Sequence, residues 1–230
     1  MQDLPEPATM LPFDRQAFFD VFAAYNAWGW PTIPVAYGIA GGILVLLLTR
    51  PAAGGRLVLL GLAAMWGWTG LAYHGLHFSR INPAAWGFAA VFVLQSLLFL
   101  LAATPRVGTA FRRPVGLRAG ALMSYSAILY PVLGLPAGHR AESLPMFGVT
   151  PCPLTIFSLG VLLCADRPVP WWLLAIPLSW AAIGGSAAVL LEIPQDWMLP
   201  VTALAVLAIR RFGGDPLGRR RSWCRAMRRD

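Results

Sequence analysis

The sequence predicts an all-α, polytopic membrane protein of seven transmembrane helices preceded by an interfacial amphipathic helix, and three observations carry that prediction. Hydrophobic residues make up 57% of the chain and charged ones 12%, far from the roughly one-quarter charged usage of soluble domains. The apolar residues gather into seven runs, most of them close to the roughly 20 residues needed to cross about 30 Å of hydrocarbon. All 18 basic residues are arginine, and 15 of them fall in alternate gaps between the runs.

The chain divides into an N-terminal segment (1–29), a transmembrane domain (30–211) and a basic tail (212–230). In the first segment Phe18, Val21, Phe22, Tyr25 and Trp28 recur at three- and four-residue spacing behind Asp14, a candidate N-cap after Pro12. The spacing predicts a helix of about 15 residues at the outer interface, either an aromatic anchor or a lid over an outer cavity, and composition favours the anchor. The stretch has acids and no apolar core, so it is not a cleavable signal peptide.

The predicted spans are 30–48, 57–78, 84–103, 117–135, 150–165, 170–191 and 197–209. A six-span alternative drops the short fifth or seventh run, but it scatters the arginines over both faces. With seven, Arg50, Arg56, Arg106, Arg112, Arg113, Arg118, Arg167 and the arginines from Arg210 to Arg229 share one side, which the positive-inside rule makes cytoplasmic. The N-terminus is then outside and the C-terminus inside, in a bacterial inner membrane. Glycines of the first span (Gly38, Gly41, Gly42) and small residues of the sixth (Gly184 to Ala188) predict close helix approach, with room for a ligand as the second use of the latter. The short link around Asp166 and Arg167 predicts an antiparallel hairpin of the fifth and sixth spans.

The +8 net charge is accounted for by topology. The tail arginines are expected against anionic lipids, and nucleic acid is not an expected partner. Cys152, Cys164 and Cys224 fall at an outer helix start, an inner helix end and the tail, so no disulfide framework is expected.

The residues with chemistry gather on the outer side: His74, His77, Asn82, His139, Cys152, Gln195 and Asp196, with Gln95 deeper in the third span. His74 and His77 stand three apart on a helix, where rings can reach one ion. With His139 and Asp196 they make a candidate transition-metal set, against the plainer reading that such groups bond to water, headgroups and helix ends. Gln95 needs a partner inside the membrane, and Ser124, Tyr125, Ser126 and Tyr130 of the fourth span are the expected ones. Nucleophile-elbow and phosphate-loop motifs are absent.

Four stretches, HGLHFSRINPAAW (74–86), PMFGVTPCPLTIF (145–157), PWWLLAIPLSWAAIGGSAA (170–188) and PQD (194–196), resemble the domain-of-unknown-function 6064 family of bacterial polytopic membrane proteins. The resemblance runs from about residue 11 to 209 and brings no assigned activity, so it transfers no catalytic residue. Met10 is an alternative start. Three readings follow in order: an outer polar pocket that binds or passes a small solute, proton or metal ion; a metal-dependent membrane enzyme using a His/Asp site; a non-catalytic subunit or scaffold. Oligomeric state is not readable, because periodicity does not separate lipid-facing from subunit-facing surfaces.

Overall fold

Helix α1 (Arg15–Gly29) starts where the side chain of Asp14 accepts the backbone N–H of Ala17 at 2.7 Å, an N-cap that satisfies one of the first-turn donors. It opens a computed structural model that describes residues 11–51, 53–136, 138 and 140–212. The structure is 75% helix, with no strand among the described residues.

Helix α2 (Thr32–Thr49) follows a turn at Pro31 and ends on Arg50, whose left-handed backbone (φ 53°) returns its N–H to the carbonyl of Leu46 before Pro51 blocks continuation. Helix α3 (Gly54–Trp68) runs on without a break into a π-helical segment (Thr69–His77) and one 3₁₀ turn (Phe78–Arg80). Asn82 and Pro83 then make an Asx turn, Asn82 accepting the N–H of Ala84 at 3.1 Å, and α4 begins (Ala85–Ala102). Helix α5 (Leu117–Ser124) passes through a second π segment (Tyr125–Leu129) into α6 (Tyr130–Leu133). Helices α7 (Pro151–Leu162), α8 (Trp171–Leu190) and α9 (Met198–Phe212) complete the bundle, the last after a 3₁₀ turn (Pro194–Trp197).

Among the described residues four segments are long and apolar enough to cross a membrane: Thr32–Thr49, Gly54–Arg80, Ala85–Ala102 and Trp171–Leu190. Exposed Val35, Leu44, Val45 and Leu48 on α2, and Leu94, Leu97, Leu100 and Leu101 on α4, present the apolar surface that such helices turn to lipid. Leu117–Leu133 and Pro151–Leu162 are shorter. Helix α7, the shortest of the apolar helices, is also the most enclosed: every residue except Cys152 is buried, against α3, α5, α8 and α9. Its hydroxyls close on its own backbone, Thr155 donating to Pro151 and Ser158 to Leu154, and Ser158 also takes the indole N–H of Trp66 at 2.9 Å.

The small residues divide by use. A Cβ on Gly38, Gly41 or Gly42 would meet nothing within 4 Å, so the close approach expected of the first span is not made among the described residues. One on Gly185 would strike the ring of Pro200 at 2.8 Å, and there close α8–α9 packing is made. The α7–α8 hairpin is formed as expected.

The arginine-poor connections meet at one end of the bundle. There Tyr130 reaches Asp196, Tyr125 donates to the carbonyl of Gln195 at 3.0 Å, Arg15 to that of Leu191 at 3.0 Å, and Asn26 to those of Glu142 and Leu144 at 2.9 Å. At the other end Asp166 donates its N–H to Ala110 at 2.9 Å.

Candidate functional site

The arginine-poor end encloses a cavity of about 140 Å³, close to the volume that holds a benzene-sized molecule. Its walls are mostly apolar and rich in aromatic rings, with Phe18 and Phe22 from α1, Tyr73 and Phe78 from the α3 continuation, Phe88 from α4 and Trp180 from α8. The ring of Phe22 stacks on Tyr73 at 5.3 Å and that of Phe18 meets Phe78 edge-on at 5.9 Å. Phe18 and Phe22 thus bring the first half of α1 over the cavity, while Val21 lines a separate groove and Trp28 at the far end is 52% exposed.

Polar groups enter this lining at few points. His74 is completely buried, its ring 5.0 Å from Trp180 and 4.7 Å from Phe92, and neither ring nitrogen has a hydrogen-bond partner among the described residues. The indole nitrogen of Trp180 meets no oxygen or nitrogen acceptor among the described residues, and the Cys152 sulfur is the weak acceptor beside it. A buried polar atom left without a partner costs about 1–3 kcal/mol, so these atoms are poised to gain from a ligand that pairs with them. Across the cavity the hydroxyl of Tyr130 donates to Asp196, and the Cys152 thiol stands beside the pair. Burial lifts the Asp196 carboxyl from its ordinary 3.8 to about 7, opposed by those two donors. Asn82 and Ser186 complete the polar lining.

The π-helical segments explain why these residues converge. Each puts more residues in a turn than an α-helix does; one carries Tyr73 and His74, the other ends immediately before Tyr130. The same geometry separates His74 from His77, because positions three apart no longer stack once the helix is wound this way. His77 instead donates from Nδ1 to the carbonyl of Ala72 at 2.9 Å, meets the rings of Tyr25 and Trp28 at 5.1 and 5.0 Å, and lines a separate surface groove with Asp20 and Arg80.

Of the residues singled out from sequence, His74, Asn82, Cys152 and Asp196 share the cavity. Gln195 is buried in the same turn, both side-chain atoms unpartnered, but outside the cavity lining. Gln95 is buried elsewhere and donates to Leu173 on α8 at 3.1 Å; the fourth-span tyrosines expected to serve it hold the Pro194–Trp197 turn instead. His139, the tail arginines beyond Arg211 and Cys224 lie outside the described residues. Among the described residues no three His, Cys, Asp or Glu side chains stand close enough to hold a metal ion. Of the metal set, His74 and Asp196 share one cavity, His77 lines another groove, and His139 lies outside the described residues.

Sequence reasoning missed Trp180 and the Tyr130–Asp196 pair. Trp180 had a readable signal: tryptophan belongs at membrane interfaces, and this one falls at the middle of a 20-residue span, one turn before Gly184. A Cβ on Gly184 would lie 3.3 Å from the Trp180 nitrogen and 3.4 Å from the Cys152 sulfur, so the bare glycine keeps both within reach of the cavity.

The family model described as "Family of unknown function (DUF6064)" matches residues 15–213. No curated protein and no solved structure matches the chain.

Proposed function

The chain belongs to the DUF6064 family, a family of unknown function, and on that premise we propose that it is a seven-span inner-membrane protein whose outward-facing cavity binds a small, largely apolar solute bearing a hydrogen-bonding group. The observation that carries this reading is His74: a fully buried imidazole in an aromatic cavity, with both nitrogens unpartnered. In a neutral imidazole one nitrogen donates and the other accepts; together with the Trp180 N–H they fit a hydroxyl or an amide. The rings of Phe18, Tyr73 and Phe88 suit the apolar body of the solute.

The seven-span count draws support from helix order. Among the described residues seven helical segments follow α1, and their connections alternate between an end that carries Arg112, Arg113 and Arg167 and an end that carries the cavity. The positive-inside rule then sets the cavity toward the outside and the basic tail on the anionic cytoplasmic leaflet. The short α7 is compatible with this because it faces protein, not lipid.

Phenol and toluene are near-isosteres that differ by a hydroxyl, and either fits a cavity of this size. In detergent, phenol is expected to raise the unfolding temperature of the wild type more than toluene does, and His74→Phe to abolish the difference. Equal shifts from the two compounds, or a difference that survives His74→Phe, would reject the reading.

A further inference from the structure

At the opposite end of α7, roughly 18 Å away at 1.5 Å rise per residue, lies a larger cavity of about 500 Å³ between α7, α8 and α9. Three arginines from separate parts of the chain line it: Arg113 before α5, Arg167 in the α7–α8 link and Arg210 near the end of α9. Its inner wall is apolar, built by Leu162, Leu174 and Val206.

The charges are arranged, not merely exposed. Arg210 lies over the face of Trp171, its guanidinium carbon 4.1 Å from the ring centre, and donates to the carbonyl of Val169. Asp166 is the one carboxylate in the lining, and its Oδ1 is engaged by the backbone N–H groups of Arg112 and, at 3.0 Å, Arg113. Together with the Asp166 N–H bond to Ala110, this pins the 110–113 segment and sets Arg113 at the cavity. Among the described residues no ion pair within 4 Å engages Arg113 or Arg167. Three arginines lining one cavity, two of them without an ion pair among the described residues, match the oxygens of a phosphate group, and an apolar wall beside them matches the chain attached to one.

We propose that this cavity holds the phosphate group of an anionic phospholipid, with the first methylenes of its acyl chains against Leu162, Leu174 and Val206. This cavity shares no lining residue with the aromatic one, so the lipid site and the solute site fail independently.

The test is native mass spectrometry of the full chain in detergent, titrated with dioleoyl-phosphatidylglycerol, dioleoyl-phosphatidylcholine or inorganic phosphate. The wild type is expected to retain one phosphatidylglycerol at about tenfold lower concentration than phosphatidylcholine, the scale set by one charge-assisted contact. The variant Arg113→Gln/Arg167→Gln should lose that preference. Arg106→Gln/Arg118→Gln, which removes two exposed arginines of the same region outside the cavity, should keep it. Equal weakening in both double variants would mean bulk charge attraction and overturn the site. A phosphate adduct without a phosphatidylglycerol preference would overturn the lipid and leave the same arginines holding free phosphate. Should the first double variant not fold, Arg167→Gln alone, at an exposed link position, reads the same preference.

Discussion

The side-chain amide of Gln95 donates to the carbonyl oxygen of Leu173 at 3.1 Å, and that carbonyl is the one whose helical donor would have been the nitrogen of Pro177. Proline has no N–H, so a proline inside a helix frees the carbonyl four residues earlier. In a membrane that oxygen must find another donor. Gln95 is thus explained by a backbone defect on the neighbouring helix.

Gln95→Leu is expected to destabilise the protein by about 1 kcal/mol, the scale of interhelical hydrogen bonds in membranes. In a Pro177→Ala background the backbone donor returns, and the same substitution should cost less or nothing. Unfolding of the four proteins in detergent gives the coupling directly; equal costs in both backgrounds would refute the pairing.

How much of this was legible in the sequence depends on the period assumed. The Asp14 cap and the helix order were readable, because caps and apolar runs are local signals. The gathering of His74, Asn82, Cys152 and Asp196 at one end followed from span alternation. His77 went astray because spacing arguments assume 3.6 residues per turn, and Thr69–His77 is π-helical. Gln95 was given the wrong partner because its acceptor is a main-chain oxygen, although Pro177 marked Leu173 by simple counting. The arrangement of Trp180 against His74 is tertiary, and no local pattern encodes it.

Arg15 holds α1 over the cavity, donating from Nε to Leu191 at 3.0 Å with Glu192 at 3.8 Å. Arg15→Ala should speed maleimide labelling of Cys152 several-fold in a background where Cys164 and Cys224 are serine. Glu192→Ala should change little, since exposed ion pairs contribute about 0–1 kcal/mol. An unchanged labelling rate in Arg15→Ala would mean that α1 is not a movable roof.

Stability should carry a pH signature from Asp196. Its carboxyl is raised by burial from 3.8 to about 7, so the folded state holds a proton that the unfolded state has released between those values. Stability from this group is complete below about pH 3.8 and is lost as pH rises through about 7. Asp196→Asn, which still offers Tyr130 an acceptor, should flatten the fall in unfolding temperature between pH 4 and 7 and exceed the wild type at pH 8. A wild type whose stability rises over that window would contradict the assignment.

Seven spans predict opposite sides for the two ends of the transmembrane domain. A fluorescent reporter that folds only in the cytoplasm should mature when fused after residue 212 and fail when fused within the 137–140 connection, with alkaline phosphatase giving the reverse. Cytoplasmic signals at both positions would restore the six-span alternative and turn the cavity inward.

Adjacent glycines on α8 provide the sharpest separation of packing from binding. A Cβ on Gly185 meets the Pro200 ring carbon Cδ at 2.8 Å; a ring cannot rotate away, so Gly185→Ala should cost about 1–3 kcal/mol and leave the phenol preference over toluene intact. A Cβ on Gly184 meets the flexible end of Leu199 at 2.8 Å, then the Trp180 nitrogen at 3.3 Å and the Cys152 sulfur at 3.4 Å. The leucine can shift, so Gly184→Ala should cost less in stability, while its methyl intrudes between the groups that would meet the solute. The phenol preference should therefore fall in Gly184→Ala and persist in Gly185→Ala. If both variants lost it in proportion to stability, the cavity would be responding to general loosening of α8, and His74 would have no ligand to explain.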